Sequence, residues 1–244
     1  MHAFAVYRSM GRVDMKNIRR DTLLAWMVAM PIVVAYLYRV GVPPLSIWLL
    51  SRFGFDLTAY YGLLVSFYVM TAPSMVGTII GFLLLDDRDD QVLSALMVTP
   101  LSIRSYLGYR ILVPLVAGFV VTIAGYRIVN LVPLGTEDLI WIALLASFSG
   151  PLTALFLASF AENKVTGFAL MKMLNSFNMI PAIAFFVSGR WQLLAGIMPA
   201  YWPMKMTWQA VEGKDYAMYG VVGVVVNAAI LLIMLRKFTL VMHR

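Results

Sequence analysis

The chain contains no cysteine, and its only two histidines are His2 and His243, at opposite ends. The first absence excludes disulfides, thiolate metal sites and a cysteine nucleophile. The second leaves no histidine base for a triad and no imidazole set for a metal. There is no G-x-x-x-x-G-K-[ST] and no H-E-x-x-H, so the chain carries neither an ATPase P-loop nor a zincin helix. Charge is scarce as well. Only 13% of residues are Asp, Glu, Lys or Arg, about half the share of a soluble domain. No series of carboxylates runs through the apolar stretches, which disfavours a proton-coupled antiporter. No catalytic residue and no metal ligand set is expected.

What is present is oil. Apolar residues make up 61% of the 244 positions, and the mean hydropathy is +0.84. A helical span takes about 20 apolar residues, so the length holds roughly six spans with short connections. Short strands of alternating polarity are absent, which argues against an outer-membrane barrel. The expected fold is an all-α integral membrane protein, one membrane domain over 1–244. The net charge of +7 suggests an anionic membrane surface rather than nucleic acid.

Residues 1–20 form no span. Arg8, Arg12, Lys16 and Arg19 fall on one side of a helical wheel, with Ala3, Val6, Tyr7, Met10 and Val13 opposite. This predicts a basic amphipathic helix in the headgroup plane. A signal-peptide n-region is the alternative, but the apolar run that follows is long and lacks an A-x-A site. Spans are expected over 22–42, 59–85, 107–131, 139–161, 167–187 and 217–235. Pro43-Pro44 opens an expected interfacial connector over 43–56. Gly150-Pro151 interrupts the fourth span. Gly77 and Gly81 form a G-x-x-x-G packing signal in the second. Residues 188–215 are too short in their apolar pieces to span. Trp191, Tyr201, Trp202 and Trp208 there suit a membrane interface, and Pro199 and Pro203 bracket a break, so a re-entrant external segment is expected. Thirteen of the 19 Lys and Arg fall at the termini, in the 86–110 loop and around 162–172, against six on the other side. This bias predicts both termini in the cytoplasm.

The densest polar stretch is Asp86–Arg110, DDRDDQVLSALMVTPLSIRSYLGYR, between spans two and three. An Asp at its start is expected to cap a helix whose face carries Leu93, Leu96 and Met97. Thr99 before Pro100 ends it. Asp86-Asp87-Arg88-Asp89-Asp90 also satisfies D-D-x-x-D, as in membrane polyprenyl transferases, where aspartates hold Mg²⁺ and a diphosphate. That alternative lacks a second acidic cluster on the same side.

The acids with Arg88, then Leu93-Ser-Ala-Leu96-Met97-Val-Thr99-Pro100-Leu101-Ser102, then Tyr106 and Arg110, resemble the cytoplasmic loop of type-2 ABC transporter permeases, including the drug and fluoroquinolone export type. The layout is similar over the whole chain, and Pro199-Ala-Tyr201-Trp202-Pro203 is similar to a proline-bracketed pattern before the last span. The resemblance implies a permease subunit of an ATP-driven exporter of amphiphilic molecules, not an enzyme, in the plasma or inner membrane. It implies a separate ATP-binding cassette subunit, which would carry the ATP and Mg²⁺, and a second permease subunit, identical or homologous. A coupling helix would lie within 86–104, docking through Asp86, Asp87, Arg88, Asp89, Asp90, Leu93, Leu96, Met97, Thr99 and Pro100. The turn at Glu162–Lys164 would add a second contact. A substrate path between two permeases would be lined by Thr71, Ser74, Met75, Asn175, Asn178 and Met179.

Overall fold

The computed structural model describes residues 2–90, 103–187 and 189–242; among these every regular element is helical. Six helical stretches are long and apolar enough to cross a membrane. The protein is therefore a multi-pass membrane protein: in lipid only a helix or a closed barrel satisfies its own backbone hydrogen bonds.

Helix α1 (His2–Arg20) exposes Arg8, Arg12, Lys16 and Arg19 and buries Asp14. Asp21 ends it and starts α2 (Thr22–Phe53), accepting the Leu23 and Leu24 N–H groups at 3.0 and 3.2 Å. The sequence suggests a connector from residue 43, yet α2 continues through Pro43 and Pro44 to Gly54, whose φ of 65° stops it. Each proline removes one N–H, which orphans the carbonyls of Arg39 and Val40. Both residues are exposed, so water or headgroups can satisfy them. At 32 residues α2 is about 48 Å long, against a hydrocarbon core of about 30 Å. Its length therefore exceeds one span, and its last turns take the place of the expected connector.

Helix α3 (Tyr61–Asp89) is the centre of the bundle and the most buried span. It packs against α2, α4 (Ile103–Val129), α6 (Ser149–Phe160) and α8 (Tyr201–Val211). The α3–α6 contact is set by glycine. A Cβ on Gly77 would stand 2.1 Å from the Gly150 carbonyl oxygen, and one on Gly150 would stand 2.7 Å from the carbonyl of Pro114 in α4. Three backbones therefore meet where no side chain fits, and Gly81 continues the seam against Leu157. The break between α5 (Thr136–Ser147) and α6 falls at Phe148, just before the expected Gly150-Pro151. Helix α7 (Lys164–Met179) opens with a reciprocal cap between Asn163 and Thr166 and buries only Gly167. Helix α9 (Ala217–Met242) closes the bundle against α6 and α8.

A short 3-10 turn over Ile180–Phe185 follows α7, and the segment expected to re-enter folds as a second, Gly189–Ile197, followed by α8. Trp191 is exposed, but Tyr201, Trp202 and Trp208 are buried core residues rather than interface anchors. Their indole groups find partners inside the protein: Trp202 Nε1 donates to the Gly196 carbonyl at 2.9 Å and Trp208 Nε1 to Ser66 Oγ at 2.8 Å. An indole with a satisfied N–H has no need of the headgroup layer.

Gly77→Leu is expected to lower the thermal unfolding midpoint in detergent strongly, with a cost of about 1–3 kcal/mol or more. Gly41→Leu, where an added Cβ meets nothing within 4 Å, should leave it unchanged.

Candidate functional site

The acidic run occupies the last turn of α3, not the first turn of a following helix. Carboxylates there face the negative end of the helix dipole, and need cations. Three supply the balance. Asp86 Oδ1 lies 3.0 Å from Lys164 Nζ, which also donates to Asp21 Oδ2 at 2.9 Å. Asp87 Oδ2 accepts from Arg110 Nη2 and from the Tyr106 hydroxyl at 2.7 Å. Arg110 Nη1 meets Asp14 Oδ2 at 2.8 Å, and the Tyr109 hydroxyl donates to the same oxygen at 2.8 Å. Arg88 Nε lies 3.8 Å from Asp89 Oδ1, and its terminal nitrogens donate to the carbonyls of Ala161 and Glu162 at 2.8 and 2.6 Å, closing the C-terminal end of α6.

These contacts join α1, α3, α4 and the α6–α7 turn at one end of the bundle. Tyr106 and Arg110, one turn apart on α4, grip one carboxylate of α3 and reach α1. Arg110 is 4% exposed and lies over the Tyr106 and Tyr109 rings at 5.4 and 5.5 Å. The hydrogen bond from Lys164 holds the Asp21 carboxyl below its ordinary value of 3.8, with the Leu23 and Leu24 N–H groups acting in the same sense against partial burial.

Of the residues expected at a coupling surface, Asp86, Asp87 and Arg88 are thus engaged within the chain, while Asp89, in a loose pair with Arg88, and Asp90 are exposed. Leu93, Leu96, Met97, Thr99 and Pro100 lie outside the described residues. Asp86 and Asp87 diverge onto different cations and do not converge on a point. Among the described residues no group of three His, Asp or Glu gathers as a metal site. The Mg²⁺-diphosphate alternative finds no support in this geometry. Asp14, Asp21 and Tyr109 are network members that the sequence motif does not name. The one available signal was Asp14, the single acid in residues 1–20 among five Lys and Arg.

Five of the six expected path residues line two neighbouring cavities in the membrane region. One, about 230 Å³, lies between α2, α3 and α7 and includes Thr71, Ser74, Met75 and Asn175. The other, about 170 Å³, lies between α3, α6, α7 and α9 and includes Ser74 and Asn178. Ser74 is common to both. Met179 is exposed and lines neither. Thr71 and Ser74 donate to the carbonyls of Phe67 and Met70 at 2.8 and 3.0 Å, which leaves their oxygens as acceptors towards the cavities. Asn175 and Asn178 make no hydrogen bond among the described residues, and Asn175 is exposed. Such walls, apolar with a few acceptors and amides, suit an amphiphilic ligand.

A family model described as fluoroquinolones export permease protein Rv2686c-like matches residues 14–235. Two curated relatives, the fluoroquinolones export permease proteins MT2760 and Rv2686c of Mycobacterium tuberculosis strains CDC 1551 and H37Rv, are each 32% identical over 231 residues. The alignment covers 93% of this chain and 92% of each relative. No solved structure matches at a significant level.

Arg110→Ala leaves the Asp14 and Asp87 carboxylates buried without their cation, and a loss of about 3–5 kcal/mol is expected, read as a fall in unfolding midpoint. Asp21→Asn keeps the α2 cap but loses the Lys164 ion pair. Because the folded carboxyl titrates below its ordinary value, wild type should exceed this variant in stability above pH 3.8. The difference should vanish as the pH falls through the folded value, as a pH series of melts will show.

Proposed function

The chain belongs to the Rv2686c-like family of fluoroquinolones export permeases, and on that premise we propose that it is the membrane-spanning subunit of an ATP-driven exporter of amphiphilic, drug-like molecules. The observation that carries this reading is the polar network at one end of the bundle. It ties the last turn of α3 to α1, α4 and the start of α7, immediately before the segment that resembles a coupling helix.

A separate nucleotide-binding subunit docks from the cytoplasm on that segment. The apolar face Leu93, Leu96 and Met97 enters a groove, Thr99 and Pro100 shape its end, and the exposed Asp89 and Asp90 supply the outer ionic contacts. Asp86, Asp87 and Arg88 act one step inward. They transmit displacement of the docked segment to α1, α4 and α7 through their ion pairs. ATP and Mg²⁺ stay on the partner. The positive bias of the termini and of this end supports both termini in the cytoplasm of a cell-membrane protein.

Helices α2 and α7 are weakly buried in the chain, and α7 exposes Lys172 and Asn175. Unpartnered polar groups in hydrocarbon are costly. A second permease copy and a wet path between the copies remove that cost. Thr71, Ser74, Met75, Asn175 and Asn178 line the path on this side, with Met179 at its edge.

The test is a mild-detergent pull-down of the tagged chain with an ATPase assay. Recovery of a P-loop subunit, abolished by Leu93→Asp with Leu96→Asp, is expected; a chain that purifies alone and is indifferent to those changes overturns the reading. Ser74→Leu projects into both cavities and should reduce fluoroquinolone efflux about tenfold or more, the effect of a modest steric misfit, while leaving subunit recovery intact.

A further inference from the structure

At the opposite end of the bundle, α5 and α9 diverge. Gly223 lets them approach closely: a Cβ there would stand 2.7 Å from Trp202 Cβ and 2.8 Å from a Leu145 methyl. From that point towards their N-terminal ends the two helices separate and leave a groove of about 680 Å³. Its walls are Trp141 and Leu144 of α5 and Val221 and Val224 of α9, all exposed, so it opens sideways into the layer where acyl chains lie. It is separate from the cavities along α3 and α7.

The mouth is charged. Glu137 and Asp215 line it, and neither pairs with a cation among the described residues. Asp215 accepts the Ala217 N–H at 2.9 Å as the cap of α9, which leaves its second oxygen free. The adjacent charges are engaged elsewhere: Asp138 accepts from the Tyr216 hydroxyl at 2.6 Å, and Lys214 pairs with Glu212 at 2.5 Å. Arg127 is held at the start of α5 by its hydrogen bond to Thr136 Oγ1 at 2.8 Å. The rim therefore offers two carboxylates above an apolar slot.

We propose that this groove is a lipid site that takes one acyl chain of a zwitterionic phospholipid with a primary-amine headgroup. The ammonium lies between Glu137 and Asp215, and the chain fills the slot between Trp141 and Val224. An anionic headgroup without the amine meets two carboxylates and is disfavoured. A second copy of the chain or a transported drug are the competing occupants.

Trp141 gives the readout. The full chain is reconstituted in phosphatidylcholine vesicles doped with brominated-acyl phosphatidylethanolamine or phosphatidylglycerol. Quenching is taken as the difference between wild type and Trp141→Phe. The amine lipid should quench at about fivefold lower mole fraction, the order of one partly screened ion pair. Glu137→Gln with Asp215→Asn, both exposed positions, should abolish that preference without changing the melt. Equal quenching by both lipids, or none by either, overturns the proposal. Displacement of the quenching lipid by a soluble fluoroquinolone assigns the groove to the drug, and quenching that falls as protein density rises assigns it to a second copy; both also overturn it.

Discussion

Arg110 is the constraint on which the rest of the structure depends. A guanidinium 4% exposed at the end of an apolar bundle is tolerable only with a carboxylate on each of its terminal nitrogens. Asp14 and Asp87 provide them from two different helices, and the Tyr106 and Tyr109 hydroxyls donate to the same carboxylate oxygens. Once these ion pairs form, the basic N-terminal helix is no longer free to drift along the headgroups. It is fastened by its one buried acid while its Lys and Arg stay outward. The acids at the end of α3, unfavourable against the helix dipole by themselves, become the points through which three neighbouring elements are held.

The same helix carries the other parts of the machine. From Asp87 it runs past Ser74 and Thr71, which face the cavities, to Ser66, which accepts from Trp208 of the folded-back α8. Along α6 it is locked by the Gly77–Gly150 contact, too close for any side chain. Helices α3, α5 and α6 therefore form the packed centre, while α2, α7 and α9 cover it loosely. Tight packing carries displacement with little loss, and loosely held flanking helices are the ones able to move or to meet a partner.

How much was legible beforehand differs from residue to residue. The break at Gly150-Pro151 and the seam at Gly77 and Gly81 were readable, because backbone chemistry is local and the residue type states it. Thr71, Ser74, Asn175 and Asn178 were readable as a group only through the family resemblance. The run through Pro43-Pro44 was not, because a proline's effect depends on whether the carbonyls it orphans are wet. Tyr201, Trp202 and Trp208 read as interfacial aromatics, since an amphipathic ring suits either a headgroup or a buried partner, and only the positions of Gly196 and Ser66 decide which.

The sequence by itself determined that this is a helical membrane protein of six spans, with a basic amphipathic start and one acidic junction. Lipid leaves an apolar chain of this length few other ways to satisfy its backbone. What only the tertiary structure decided is the role of that junction. Asp86, Asp87 and Arg88 are adjacent in sequence, yet one meets Lys164, one meets Arg110 and one caps α6. Those partners lie 23 to 78 positions away, and an ion pair at such separation leaves no periodic trace: its geometry exists only after the helices have packed.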